Sequence, residues 1–246
     1  MRTIIIENGQ EVQPEQYRGQ LDIEKVIIHE GAIIGDSAFA GCTGITEVNI
    51  AKGVKIGKYA FYECTGITKL IIAQGVTIGI LAFTDCIGVT ELDIAKGVTI
   101  KDKAFWGCTG ITKVNIAEAV DVYLYAFFNC TGIIEVNIAE GVKIGRDAFE
   151  LCTGIAEIHI AKDVRIGERV FWGCADISKL IIAKGVRVVG SAFNFNTVER
   201  FSMPEPVLYF SQELVSRLSE LFRKLSEQGN KEFNINITQR GLAPHQ

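Results

Sequence analysis

Seven cysteines are the most reactive side chains of this sequence, at 42, 64, 86, 108, 130, 152 and 174. Their constant interval of 22 residues decides what they can do. Residues at one phase of a repeat stack as neighbours, roughly 5 Å apart, with side chains pointing the same way. A disulfide needs converging Cβ vectors, and seven is an odd number. A nucleophilic cysteine needs a base within reach. Histidine occurs only at 29, 159 and 245, and His159 falls in a strand segment on the far side of the repeat from the cysteines. No Cys/His grouping has zinc spacing, and neither Gly-x-Gly-x-x-Gly nor a phosphate loop is present. The cysteines therefore read as a column of buried thiols, which suits a reducing compartment.

Carboxylates offer no better catalyst. Glu91, Asp93 and Glu135 could imitate an acid/base pair, but neighbours on an open sheet face stay solvated and ionised. The reading is of a chain that is not an enzyme and needs no cofactor and no metal.

The elements that position these residues follow from the same period. Phenylalanine stands three residues before each cysteine, at 39, 61, 83, 105, 127, 149 and 171, with an eighth at 193. Within the unit from Ile45 to Gly66, Ile45, Val48 and Ile50 give a short β-branched strand. Gly53 marks a corner, as do Gly75, Gly97, Gly141 and Gly185. Val54 and Ile56 form a second alternating pair. Ala60, Phe61 and Cys64 have the spacing of one inward-facing helical or 3₁₀ turn. A fixed period of this length is the signature of a solenoid, whose units bury their apolar faces only against neighbours.

The unit Ile-x-x-Val-x-Ile, followed by Gly-Val-x-Ile-Gly-x-x-Ala-Phe-x-x-Cys, resembles the BspA-type leucine-rich repeats of bacterial and protist surface and secreted proteins. The units here are one residue shorter than usual for that family, and Ala51, Ala73 and Ala95 stand where proline is common. The resemblance implies a right-handed superhelix with a parallel sheet, a role in adhesion or partner binding, and no catalytic residue. The expected fold class is α/β, β-dominated: a right-handed leucine-rich-repeat solenoid with a parallel sheet and a C-terminal helical cap.

Residues 1–20 read as a degenerate capping rung, with Ile4 and Ile6 in the strand phase and Tyr17 in the phenylalanine phase. Residues 21–203 form the solenoid, and with the strand of the first rung ten strands stack in all. Pro204 and Pro206 break the pattern. Residues 204–246 then read as a C-terminal cap. Its helix, about 212–228, carries Leu214, Leu218, Leu221, Phe222 and Leu225 on one stripe, and a short strand follows at about 232–238.

Two surfaces are candidates for function. Between the inward strand residues, outward columns run Glu47, Lys69, Glu91, Lys113, Glu135, Glu157, Lys179 and Asn49, Ile71, Asp93, Asn115, Asn137, His159, Ile181. Alternating charge on adjacent rungs is what sheet stability favours. Glu135 followed by Glu157 breaks that alternation and, with Asp93, Asn115, Asn137 and His159, makes a polar stripe suited to a basic or hydrogen-bonding partner. On the opposite side, Tyr62, Trp106, Phe128 and Trp172 follow the buried phenylalanines, with Tyr123 and Tyr125 close in phase. Large aromatic side chains on a polar exterior are residues that anchor interfaces.

The net charge of −4 gives no pull toward nucleic acid, and no apolar run is long enough to insert in a membrane. The first ten residues hold only Ile4–Ile6 before Glu7, so no classical signal peptide is read there. The expected location is the cytoplasm, or a host cytosol after delivery. The expected function is a non-enzymatic protein-binding scaffold, a bacterial effector or host-interaction protein; the alternative is a surface adhesin binding an extracellular protein or glycan.

Overall fold

The computed structural model describes residues 2–174, 177–189 and 191–193 and the backbone of Phe201–Ser202. Each repeat makes one coil, and the coils stack so that like residues lie side by side. Among the described residues, ten strands form one continuous sheet in chain order. It runs from Arg2–Ile6 and Ile23–Ile28 through Glu47–Ile50, Lys69–Ile72, Glu91–Ile94 and Lys113–Ile116 to Glu135–Ile138, Glu157–Ile160, Lys179–Ile182 and Phe201–Ser202. All pairs are parallel, and residues 22 apart sit opposite one another along the array, as with Val114 between Leu92 and Val136, until the last pair, where Leu180 faces Phe201, 21 residues on. The β-branched residues at alternate positions make this possible: Val48 and Ile50 point inward and are buried, while Glu47 and Asn49 face out.

The second alternating pair of each repeat makes a sheet of its own. Two-residue strands such as Lys55–Ile56, Thr77–Ile78 and Thr99–Ile100 join into a nine-stranded parallel sheet from Arg187–Val188 to Glu11–Val12. The corner between the two sheets is set by residues with positive φ, Gly53 at 69° and Gly75 at 67°, for which glycine has no steric penalty. Gly110 has a different reason for being glycine. A Cβ there would lie 2.0 Å from the carbonyl oxygen of Ile87 on the preceding rung.

The third wall corrects one expectation. Ala60, Phe61 and Cys64 do face inward, but no helix occurs among the described residues. Tyr59 and Glu63 both have φ of 55°, and the same left-handed positions recur at Leu81, Asp85, Lys103, Tyr125, Asn129, Asp147, Leu151 and Arg169. With left-handed residues four apart, every second N–H of the segment turns toward the next rung. Tyr59 donates to the Ile80 carbonyl at 3.0 Å, Phe61 to Ala82 at 2.7 Å and Glu63 to Thr84 at 2.9 Å. The N–H groups between them close tight turns within the segment, Tyr62 donating to Tyr59 at 3.0 Å and Cys64 to Phe61 at 3.2 Å, so the backbone is satisfied partly between rungs, as in a strand, and partly within itself.

Phenylalanine rings fill the space behind this wall. From Tyr17 to Phe193 they are stacked with centroids 4.7–5.4 Å apart. Tyr17 takes the first place in the ladder, on Phe39, and Arg2–Ile6 pairs with Ile23–Ile28. The expected cap, with its helix at about 212–228 and strand at about 232–238, lies outside the described residues.

Candidate functional site

The chemistry of the thiols comes first, because it removes them from the list. Each cysteine is buried, and its sulfur donates to the carbonyl oxygen of the ring residue on the preceding rung. The distances run from 2.9 Å for Cys42 to Tyr17 to 3.3 Å for Cys174 to Phe149. Burial pushes Cys64, Cys86, Cys108 and Cys130 well above the ordinary thiol range, and Cys174 up to about 12. The column is a row of neutral hydrogen-bond donors.

The sheet face carries the polar stripe. Asp93, Asn115, Asn137 and His159 line one trough of about 960 Å³, with Ile71 at one end and Ile181 at the other. Ala95, Ala117, Ala139, Ala161 and Ala183 line it too, and their small side chains leave the space open. The amides form a directional chain: Asn115 donates to Asp93 at 2.7 Å, and Asn137 donates to Asn115 at 2.8 Å and to Glu135 at 2.7 Å. Beside the trough, Lys113 holds Glu135 at 3.1 Å, and Lys179 and His159 hold Glu157 at 3.0 and 3.4 Å. One rung set earlier, Lys25 and Lys69 both reach Glu47 at 3.1 Å. The column therefore carries inter-rung ion pairs in separate groups, Lys25–Glu47–Lys69, Lys113–Glu135 and Glu157–Lys179.

These pairs fix the ionisation of the face. The amide of Asn137, then the ammonium of Lys113, holds the Glu135 carboxyl below its usual range. Lys179 and then His159 do the same for Glu157. Asn49, with Lys25 and Lys69, lowers Glu47 to about 2. Such carboxylates accept hydrogen bonds across the ordinary pH range and do not donate a proton, which is the reverse of what a general acid requires.

The aromatic residues divide into separate groups on the third wall. Trp106, Tyr125 and Phe128 pack together, Trp106 to Phe128 at 4.4 Å and Tyr125 to Phe128 edge-on at 5.4 Å. Tyr123 is nearby and exposed, beneath the ammonium of Lys101 at 4.3 Å. Tyr62 instead meets Tyr59 at 5.6 Å, two rungs away from Trp106. Trp172 lies three rungs beyond Trp106, under the guanidinium of Arg169 at 5.2 Å.

One cluster escaped the sequence reading. Asp147 is 1% exposed and Glu150 is 7% exposed, and Arg169 binds both, through Nε to Asp147 at 3.1 Å and through Nη2 to Glu150. Arg146 closes the other side of Asp147 at 3.0 Å. Asp147 also pushes up the Tyr125 hydroxyl, by its charge and by a hydrogen bond. Asp147 and Arg169 share one phase of the repeat on adjacent rungs, with opposite charge. That is the signal that would have found them. Among the described residues, no group of three His, Cys, Asp or Glu side chains is placed to hold a metal ion.

Comparison with known proteins agrees with this geometry. The Leucine Rich Repeat protein of T. pallidum is 19% identical with a TM-score of 0.53, over 62% of this chain and 77% of that one. A leucine-rich repeat protein from Bacteroides ovatus is 17% identical with a TM-score of 0.36, over 80% and 76% of the two chains. A leucine rich cell surface protein from Faecalibacterium prausnitzii is 18% identical with a TM-score of 0.39, over 82% and 81%. No curated protein matches. The profile of the BspA type Leucine rich repeat region matches six copies, over residues 10–134 and 120–223. With that profile spanning the stacked rungs, the chain belongs to the BspA type leucine-rich repeat family.

Proposed function

We propose that the protein is a non-enzymatic scaffold that binds a protein partner in the trough of its ten-stranded sheet. One observation carries this reading: six consecutive rungs, from Ile71 to Ile181, present apolar ends around a polar centre whose hydrogen-bonding groups are already aligned. Ile71 is 47% exposed at the rim, apolar surface that a bound segment would cover. Asp93, Asn115, Asn137 and His159 would read backbone and polar groups of an extended segment, while Glu135 and Glu157 bias the face toward basic residues. The ordered amide chain lowers the ordering cost of binding.

Effector and adhesin roles differ in where this trough meets its partner, and the trough suits a peptide in either setting. A glycan-binding adhesin draws its support from Trp106 and Trp172. Both rings carry a cation on one face, which leaves less open ring for a sugar to stack on. The test is co-purification from lysates of candidate host cells and from surface extracts of the native source. The same bait is run with Ile71→Asp and with Asn137→Lys. Partners retained by the wild type and lost by both variants support the trough. Partners captured equally by all three proteins would refute it.

A further inference from the structure

We infer that the third wall holds a second docking surface, centred on Trp106, which takes an acidic, aromatic-bearing peptide segment of a partner protein. The argument starts from where the cations sit. On the sheet face, Lys25, Lys69, Lys113 and Lys179 each meet a carboxylate on a neighbouring rung. Lys101 and Lys103 make no ion pair among the described residues. Lys101 lies 4.3 Å above the Tyr123 ring, and Lys103 lies 4.7 Å above Trp106 and 5.7 Å above Tyr125. Asp102, between them in sequence, forms no ion pair with either.

A ring beneath an ammonium steadies it without neutralising it, so its hydrogen-bond donors stay available. The platform is also rigid. Trp106 is wedged against Phe128, and Tyr125 packs on both rings, 6.0 Å from Trp106 and 5.4 Å from Phe128. Two unneutralised cations on a fixed, half-buried aromatic base complement carboxylates flanked by rings. They suit a neutral sugar poorly, since Lys103 covers one face of Trp106 and Phe128 packs against the ring at 4.4 Å. This surface is independent of the trough, so either can fail alone.

The experiment uses the full chain and a short fluorescent peptide that alternates glutamate and phenylalanine, with binding read by anisotropy. The wild type should bind and should weaken as salt is raised. Lys101→Gln with Lys103→Gln should bind at least about tenfold more weakly, while the Lys→Arg pair retains affinity. Asn137→Lys, in the trough, should leave this affinity unchanged, and thermal melting checks that every variant is folded. The inference is overturned if the wild type does not bind, or if the glutamine pair binds as well as the wild type. Equal binding of a neutral oligosaccharide, heparin or anionic phosphatidylserine vesicles would overturn it too.

Discussion

At the scale of single residues, repetition changes what a side chain can do. A cysteine every 22 residues looks like a store of reactive thiols, yet each sulfur spends its one proton on the carbonyl behind it. Burial opposes the thiolate, which is the reactive form. Native protein should therefore react with a thiol reagent such as Ellman's at a small fraction of the rate of denatured protein, and full colour should appear only on unfolding. Rapid reaction of several thiols in the native state would show that the column is open. The carboxylates behave oppositely. The folded-state range of Glu47 is lowered to about 2 by Asn49, Lys25 and Lys69. A lowered folded value means that its contribution is present above the unfolded value, about 4.3, and is lost as pH falls toward 2. Carboxyl resonances followed by NMR should place the Glu47 midpoint close to 2, with Glu135 and Glu157 below an ordinary glutamate. A Glu47 midpoint near 4.3 would mean that the inter-rung pairs do not persist in solution.

At the scale of elements, the sequence was legible wherever periodicity alone decides direction. Ile45, Val48 and Ile50 announce a strand because alternation separates the two faces of a sheet, and the ten-stranded order follows from stacking them. Two-residue strands such as Lys55–Ile56 are too short for alternation to distinguish them from any turn. The third wall was misread for a clearer reason. A spacing of three and four fits a helical turn, and it fits equally a run of tight turns with left-handed residues four apart. Left-handed positions are usually betrayed by glycine or asparagine. Here Tyr59, Leu81, Lys103, Tyr125 and Arg169 occupy them, held there by inter-rung hydrogen bonds. The candidate surfaces were half legible: columns gave the neighbours, but not which neighbours would touch. Tyr62 and Trp172 share a phase with Trp106 yet lie rungs apart from it.

Two kinds of position should differ in energy. Phe105→Ala removes a fully buried ring from the middle of the ladder and should cost about 3–5 kcal/mol. Gly110→Ala drives a methyl against the Ile87 carbonyl and should cost about 1–3 kcal/mol. Lys113→Glu trades one exposed ion pair and should change stability by less than about 1 kcal/mol. Denaturant unfolding of the three variants gives the order directly. Equal losses in all three would mean that inside and outside have been assigned wrongly.

At the scale of the whole molecule, each rung contacts only the rungs beside it, so stability is close to a sum of rung and interface contributions. That makes the array editable in whole units. Excising residues 67–88 joins Gly66 to Val89, and Val89 enters the core position that Ile67 held, since both are buried at one phase. The Phe61 ring then stacks on Phe105, and the Cys108 thiol finds the Phe61 carbonyl in place of that of Phe83. Trp106 and its lysines remain, while the trough loses Ile71. The shortened protein should stay cooperatively folded, with the same circular dichroism per residue and a lower melting temperature. It should also keep the acidic-peptide affinity while losing part of any affinity seated in the trough. A deletion one residue shorter, retaining Gly88 after Gly66, adds a residue ahead of the next strand. Forcing that strand to take up the extra residue would reverse its faces, presenting Glu91 and Asp93 to the core. If the loop absorbs it, the extra residue has no place in the stack between Gly66, which lies against the Thr43 carbonyl, and Val89, which enters the core. Either way, the shorter deletion should be the less stable of the two. A whole-rung deletion that unfolds as readily as the frame-shifted one would show that the rungs do not act as independent stacking units.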